Sequence, residues 1–287
     1  MRRAGVGRRG SWLILAPALA VLIGLLAVPL VNVAEESFRL FVPGRVGAAE
    51  DAPLTLVNYA ELLQPAYLRY FADTFRISLI AALLALAIGY PLAYYLGRQA
   101  RPRARRIWIT ALVALVFLSI LVRVYAVALA FGPSGFGNEV AALLGLAPSS
   151  RDYAEALIVA GLMHCLVPMA ALSLIATVQN INPRLFDAAL ALGAARIKAH
   201  LTVTLPLSVR GLLGAFMLCY TFSISAFVIP MVLGKGRVLF VSNLIYSRFG
   251  EVGDYPGGAA ISLVMLVLSI LLVYVVTRAA GARWEKA

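Results

Sequence analysis

The chain has 287 residues, of which 62% are hydrophobic and only 13% are charged, and its mean hydropathy is +0.91. So few charges cannot keep the surface of a water-soluble domain wetted, which argues against a soluble enzyme or binding module. The formal net charge of +12 does not indicate a nucleic-acid partner, because the basic residues lie at the ends of apolar runs and not on one face with interleaved aromatic residues.

The first apolar run, residues 12–34, follows a basic tail and could be mistaken for a secretory signal. A signal core has about 7 to 15 apolar residues and ends at a small-residue cleavage site. This run is longer, and residues 32–36 match such a site poorly. Because about 20 apolar residues span the hydrocarbon of a bilayer, we predict that this run is the first membrane helix.

Five further runs have the same character, so the sequence predicts an all-α membrane protein with six transmembrane helices. Their approximate bounds are residues 71–96, 107–131, 154–178, 209–233 and 258–277. Prolines within or at the ends of these runs are compatible with membrane helices, where neighbouring groups can satisfy the freed backbone.

The basic residues predict the orientation of the chain. Sixteen of the 25 Lys and Arg residues lie in the N-terminal tail, the connection between helices 2 and 3, the connection between helices 4 and 5 with the start of helix 5, and the C-terminus. Cytoplasmic segments carry the excess of Lys and Arg. We therefore expect both termini in the cytoplasm, at the inner or plasma membrane.

These assignments divide the chain into five segments. They are a cytoplasmic tail (1–11), helix 1 (12–34), an external loop (35–70), a transmembrane domain of helices 2 to 6 (71–278) with a cytoplasmic loop (179–208), and a cytoplasmic tail (279–287). The external loop carries Glu35, Glu36, Glu50, Asp51 and Glu61, and its plain interpretation is a solvated loop with one short helix.

The connection between helices 4 and 5 contains a helix of its own. Asn182 suits the N-cap, Pro183 suits the first helical position, and Gly193 can adopt the left-handed conformation that ends a helix. A second helical stretch, residues 194–203, is expected to stop at Pro206. The residues alone leave three interpretations open: a docking element, an amphipathic helix at the interface, or a structured loop.

This connection resembles a known signature. The residues Asp187-Ala188-Ala189, Gly193 and Val203-Thr204-Leu205-Pro206 have the spacing of the E-A-A-x3-G-x9-I-x-L-P pattern found in permease subunits of binding-protein-dependent ABC importers. Asp187 replaces Glu and Val203 replaces Ile, both conservatively. The resemblance implies a type I ABC importer permease fold, with this loop as the helix that docks on the ATPase subunit.

Other segments, over about residues 12–274, resemble the spermidine/putrescine-type branch of these permeases. They are residues 56–59 of the external loop, 121–126 of helix 3 and 227–234 of helix 5. The branch also includes permeases for ferric iron, thiamine, phosphonates and opines. A polyamine such as spermidine or putrescine is thus the leading substrate that the resemblance implies, with the others as alternatives.

The resemblance also implies partners. They are two ABC ATPase subunits, a second similar permease that we expect to form a heterodimer with this one, an external substrate-binding protein, and the lipid bilayer. The chain has no G-x-x-x-x-G-K-[ST] phosphate loop, so we expect no catalytic site and no cofactor on it, with ATP and Mg²⁺ bound by the partner ATPase subunits.

A few polar residues inside the runs are candidates for the translocation pathway. Arg123 is a charge deep in helix 3, and such a charge is costly unless it is paired or hydrated, so it either faces the pathway or has a structural partner. Tyr125, Tyr220 and Ser223 are further candidates, although membrane helices also use such groups for ordinary hydrogen bonds. Arg76 is expected to anchor at the interface, and His200 to be a surface side chain.

Alternative classes find less support. A secondary transporter would need acidic residues at mid-membrane, and the six runs carry none except near their ends. A membrane enzyme would need clustered His, Asp or Cys, whereas His164 and His200 lie in different regions. Cys165 and Cys219 lie in apolar runs, where a small buried hydrophobe is the plain interpretation, and we expect no metal site.

Overall fold

The computed structural model describes residues 8–48, 52–132 and 135–284. The described chain divides into two compact units. The first comprises the residues up to Tyr67 together with Ile245–Leu268, and the second comprises Leu68–Leu244 and the residues from Ser269 onward. Some of the charged residues in the predicted tails and external loop lie outside the described residues, namely Arg2, Arg3, Glu50, Asp51 and Lys286.

Thirteen α-helices account for the described secondary structure. They are α1 (Arg8–Ser37), α2 (Val57–Glu61), α3 (Pro65–Tyr94), α4 (Pro102–Phe117), α5 (Ile120–Ala130), α6 (Gly137–Leu143), α7 (Arg151–Asn180), α8 (Pro183–Ala191), α9 (Arg196–Ala199), α10 (Leu205–Ile224), α11 (Val228–Leu233), α12 (Val241–Tyr246) and α13 (Tyr255–Trp284). Single π-helical turns follow α3, α9 and α12, at Tyr95–Gln99, His200–Thr204 and Ser247–Val252.

The all-α membrane architecture is confirmed. Within the described ranges, five helical segments are long and apolar enough to cross a membrane, and the bent pair of α4 and α5 makes a sixth if it counts as one span. The described residues form two isolated β-bridges and no strand. The chain therefore satisfies its backbone within helices, as the hydrocarbon requires.

Two of the predicted spans are broken. The run predicted as one helix over residues 107–131 bends by 96° between α4 and α5, where Leu118 and Ser119 have extended backbones. Neither proline nor glycine marks this break, which is why the run looks continuous in sequence. The run over residues 209–233 is also divided, into α10 and α11.

The break between α10 and α11 is stabilised by side chains. Ser242 Oγ donates to the Ala226 carbonyl at 2.7 Å, and Asn243 Nδ2 donates to the Phe227 carbonyl at 3.0 Å. The Ala226 carbonyl could not have accepted from residue 230 of a continuous helix, because Pro230 has no N–H, and the Phe227 carbonyl also accepts from Met231 N at 3.2 Å. The two side chains thus help to satisfy the buried backbone groups at the break.

Pro206 does not end a helix, contrary to the sequence prediction. Residues 196–224 form one continuous helical segment, in which Pro206 is at the start of α10. The π-helical turn His200–Thr204 precedes it, and Leu205 N donates to the His200 carbonyl five residues back. Such a turn widens the helix locally, so the proline ring is accommodated where a regular helix would clash with it.

The first unit contains the ordered loop between α1 and α3, which the sequence predicts to be external. Asn58 on α2 is buried and donates to the carbonyls of Ser37 and Arg39 at 2.8 and 2.9 Å. The hydroxyls of Ser37 and Tyr59 are 2.7 Å apart. The short helix expected in this loop is present, but buried hydrogen bonds tie it to the end of α1, so the loop is not simply solvated.

The second unit packs around α7 through small residues. An added Cβ on Gly89 of α3 would lie 2.8 Å from the Cβ of Ala170 on α7. One on Gly211 of α10 would lie 2.2 to 2.7 Å from the side chain of Thr177, also on α7. Small residues allow such close approach of membrane helices, whose association depends on van der Waals packing.

This packing predicts opposite outcomes for two glycines on α10. Gly211→Ala would force the Thr177 contact apart and should destabilise the protein by about 1 to 3 kcal/mol. Gly214→Ala is the control, because no atom lies within 4 Å of its added Cβ, and its stability should be unchanged or slightly higher. Thermal unfolding in detergent, followed by loss of the monodisperse protein peak, measures both. Equal stability of the two variants would contradict the close contact.

Candidate coupling loop and polar residues of the bundle

The short helix α8 begins and ends as its sequence predicts. Asn182 Oδ1 accepts a hydrogen bond from Arg184 N at 3.0 Å, and Pro183 is the first helical residue. At the other end, Gly193 N donates to the Leu190 carbonyl at 2.9 Å and Ala194 N to the Ala189 carbonyl at 3.1 Å. Gly193 has a φ of 87°, the left-handed conformation that closes this hydrogen-bonded cap.

The motif divides into an outward and an inward part. None of the side chains of α8 is buried, and Asp187, Ala188 and Gly193 are all exposed. Val203 and Leu205 are half-buried at the junction with α10, while Pro206 is exposed, and Ala189 is half-buried. The first part of the motif, Asp187 to Gly193, therefore presents an exposed surface. The second part contacts the bundle through Val203 and Leu205.

Large apolar side chains are exposed beside this surface. Leu192 is 90% exposed and Ile197 is 76% exposed, and Leu185 and Leu201 are also on the surface. Together with the exposed face of α8 they form an apolar surface interspersed with Arg184 and Arg196. A surface of this kind is typical of a protein interaction site.

Contacts with α3 hold the loop against the bundle. Arg98, in the π-helical turn after α3, donates through Nη2 to the Ile181 carbonyl immediately before α8. α8 also contacts the π-helical turn His200–Thr204. A groove of about 530 Å³ lies between these elements and is lined by Tyr94, Phe186 and Asp187, among others.

His200 is not the free surface side chain that its sequence position suggested. Its ring makes an edge-to-face contact with Tyr94, with the centroids 4.5 Å apart, and a tilted contact with Tyr90 at 5.6 Å. The spacing of Tyr90 and Tyr94 by one helical turn was the available sequence signal, since it places both rings on one face of α3. That face meets residue 200 only in the tertiary structure.

The four pathway candidates do not share one surface. Arg123 on α5 is buried, whereas Tyr125 is 54% exposed. Residues two positions apart on an α-helix are rotated by about 200° around its axis, so Arg123 and Tyr125 lie on different sides of α5. Tyr220 and Ser223 are both buried on one face of α10.

Three buried polar atoms have no hydrogen-bond partner among the described residues. They are Arg123 Nε, Ser78 Oγ and Ser223 Oγ. By contrast, Tyr220 Oη donates to the Phe75 carbonyl of α3 at 3.4 Å. Such groups cost free energy unless a partner or water satisfies them.

Arg76 belongs to an ion-pair network and is not a simple interfacial anchor. It contacts Glu155 of α7 at 2.6 Å, and Arg151 of α7 contacts Asp73 of α3 at 2.5 Å and Glu155 at 3.1 Å. The two arginines and two carboxylates balance in charge and join α3 to α7. The sequence could not show this pairing because its members are about 80 residues apart.

The cysteines are both buried and free. Cys165 lies in α7, and Cys219 Sγ in α10 is 3.8 Å from the Leu166 carbonyl. In the ranges that the structure describes, no three His, Cys, Asp or Glu side chains are grouped so that they could hold a metal ion.

Sequence comparisons find relatives over most of the chain, although no family model matches it. The spermidine/putrescine transport system permease protein PotB of Haemophilus influenzae is 30% identical over 229 residues, which are 79% of this chain and 80% of that protein. PotB of Escherichia coli is 26% identical over 227 residues, covering 78% and 82%. The inner membrane ABC transporter permease protein YdcU of Escherichia coli is 25% identical over 238 residues, covering 78% and 76%.

Structural comparisons find the same fold. A chain of a bacterial ABC transporter involved in the import of the acidic polysaccharide alginate matches with a TM-score of 0.75 at 16% identity, covering 96% of both chains. A chain of the alginate transporter in complex with its pentasaccharide-bound periplasmic protein gives 0.72 at 18% identity, covering 93% of both. The MetNI methionine ABC transporter in an inward-facing conformation gives 0.53 at 18% identity, over 76% of this chain and 94% of that one.

Proposed function

Because the chain belongs to the spermidine/putrescine-type branch of ABC importer permease subunits, we propose that it carries a polyamine across the membrane. The polyamine, such as spermidine or putrescine, would be delivered by an external binding protein. The relatives named for spermidine and putrescine transport support this substrate.

The outward surface of α8 is the observation that carries the mechanism. A helix with no buried side chain, capped at both ends and flanked by exposed Leu192 and Ile197, is suited to insert into a groove on another subunit. Asp187, Ala188 and Gly193 would form that contact. We infer that the groove belongs to an ATPase subunit, so that closure of the ATPase dimer on ATP moves α8.

The partner set follows from this role. The chain lacks a phosphate-binding loop, so ATP and Mg²⁺ would be bound and hydrolysed on two partner ATPase subunits. A second, similar permease would complete the pathway as a heterodimer. The mechanism would be alternating access, in which the motion of α8 reorients the membrane helices around the substrate.

The orientation of the chain is part of the proposal. α8 must face the cytoplasm to meet an ATPase, and it lies in one of the basic segments that the charge distribution assigns to that side. Both termini would then be cytoplasmic. The ion-pair network of Asp73, Arg76, Arg151 and Glu155 would lie toward the external side.

One observation favours a second class of substrate. Arg123 is buried, and its Nε has no hydrogen-bond partner in the described chain. A free positive charge beside the pathway would repel a polycation and attract an anion. An importer of phosphonates or of another anionic or chelated solute, such as ferric iron or an opine, is therefore the alternative, with thiamine as a further possibility from the resemblance.

The orientation can be tested with reporter fusions. Fusions after residues 105 and 195 should report the cytoplasm, because both positions lie within basic segments, and fusions near residues 50 and 145 should report the exterior. Paired reporters that are active on opposite sides of the membrane control for expression. An external signal at residue 195 would refute contact between α8 and a cytoplasmic ATPase.

Substitutions on α8 test the ATPase contact. Gly193→Asp, Asp187→Lys and Ala188→Trp change exposed positions, and an added Cβ at Gly193 meets no atom within 4 Å. The left-handed φ makes a Cβ there cost roughly 1 kcal/mol locally, which would not unfold the membrane bundle. All three variants should therefore be inserted at near-normal abundance while uptake and substrate-stimulated ATPase activity are lost together.

Two conservative variants are matched controls for this experiment. Gly193→Asn has the size of Gly193→Asp and the same tolerance of the left-handed conformation but no charge, so it should retain activity if the added charge is what disturbs the contact. Asp187→Glu should retain activity because the carboxylate is kept. Loss of the protein from the membrane in all three disruptive variants would indicate a folding role. Normal transport in all three would refute the interface.

The substrate can be tested by uptake of labelled putrescine and spermidine in cells that carry the complete importer. ATP-dependent uptake of either compound, abolished by Gly193→Asp, is the expected result. Absence of uptake for both would remove the polyamine assignment. In that case Arg123→Gln should weaken uptake of the anionic solute, since removing the buried charge removes its attraction.

A further inference from the structure

His200 occupies a position that the motif leaves variable, in the nine-residue gap between Gly193 and Val203. It is the first residue of the π-helical turn His200–Thr204, and its carbonyl accepts the hydrogen bond from Leu205 N that defines this turn. Residue 200 therefore lies between the outward helix α8 and the membrane helix α10, at the point where the helix geometry changes.

The ring of His200 connects this turn to α3. It makes an edge-to-face contact with Tyr94 and a tilted contact with Tyr90, and these two tyrosines lie one helical turn apart on α3. We call His200, Tyr94 and Tyr90 the aromatic cluster. Paired aromatic rings prefer such edge-to-face and tilted geometry, so this contact has a specific arrangement that a sliding apolar surface would lack.

Tyr90 connects the aromatic cluster to the packed interior. Its side chain is buried with Leu96, Leu174 and Val178 in the core between α3 and α7. The Tyr90 hydroxyl is 3.3 Å from Ser208 Oγ of α10, and Ser208 Oγ donates to the Thr204 carbonyl at 2.8 Å. Displacement of His200 would therefore act on α3 through side chains that are already closely packed.

A second connection between the loop and the end of α3 acts differently. Arg98 donates to the Ile181 carbonyl in the junction between α7 and α8, but Arg98 is on the π-helical turn beyond the end of α3 and is half-exposed. A long, partly solvated side chain can follow a moving loop without moving the helix behind it. The aromatic cluster is the stiffer of these two connections.

We propose that His200 is a positioning residue that transmits the movement of α8 to α3 through Tyr94 and Tyr90. The inference rests on the proposed contact of α8 with an ATPase subunit. It adds a second route for the movement. One route runs along the continuous helix formed by α9 and α10, and the other passes through the packed rings of the aromatic cluster to α3. The shape of the ring, and not its proton, performs this role.

The test measures hydrogen exchange in the importer purified in lipid nanodiscs with its ATPase subunits, both without nucleotide and after trapping with ATP and vanadate. This comparison needs no knowledge of the substrate. In the unmodified protein, trapping should change exchange in two segments: α8, and the end of α3 with its π-helical turn, residues 90–99.

His200→Ala removes the ring and should leave the nucleotide response of α8 intact while most of the response of residues 90–99 is lost. His200→Phe keeps a ring of similar shape and should restore the response. Thr202→Val alters an exposed residue of the same turn and is the control, with an unchanged response expected. A double variant, His200→Ala with Tyr94→Ala, should be no worse than His200→Ala alone.

Each result decides a separate point. A full response at residues 90–99 in His200→Ala, or a loss that His200→Phe does not restore, would overturn the role of the ring. If His200→Ala fails to assemble, Tyr94→Ala with Tyr94→Phe as its ring-preserving control gives the same contrast from the other partner. No nucleotide response at α8 in the unmodified importer would instead refute the ATPase contact, and the transmission with it.

Discussion

The close packing of α3 and α10 against α7 determines where the functional elements of the second unit lie. At Gly89 and Gly211 the space for a Cβ is already occupied by Ala170 and Thr177 of α7. In lipid, water does not drive helices together, so contact at this distance gains dispersion energy that larger residues would forfeit. Because both helices are fixed on α7, their two ends are held near each other, and this brings Tyr94 beside His200 and Arg98 beside the start of α8.

The interruptions of the membrane helices follow from the same requirement for satisfied backbone groups. Where α10 gives way to α11, the carbonyls of Ala226 and Phe227 accept hydrogen bonds from Ser242 and Asn243. Thr74 of α3 accepts a hydrogen bond from Val241 N at 2.9 Å, beside this region. A break in a membrane helix is tolerated where protein groups satisfy the backbone, and here Ser242 and Asn243 do so at the two carbonyls of the break. The same break places short helix α11 against α5 and α7.

The polar residues of the bundle are of two kinds. Asp73, Arg76, Arg151 and Glu155 neutralise one another and join α3 to α7, which suits a structural role. Arg123, Ser78 and Ser223 instead leave buried atoms without partners among the described residues, and unpaired polar groups at such positions are expensive. For an importer, the second kind is the more informative, because a passing solute or water can satisfy such groups while lipid cannot. Exposed Tyr125 belongs to neither kind.

The sequence by itself determined the features that depend on neighbouring residues. The apolar runs identified an all-α membrane protein, and Asn182, Pro183 and Gly193 located α8 to within one residue, because hydropathy and helix capping act over a few positions. Only the tertiary structure decided the breaks after Phe117 and after Ile224, the passage of the helix through Pro206, the pairing of Arg76 and the ring contacts of His200. Three of these depend on groups supplied by distant segments: Ser242 and Asn243 for the break after α10, Glu155 for Arg76, and Tyr90 and Tyr94 for His200. A local pattern carries no information about such partners until the helices are packed.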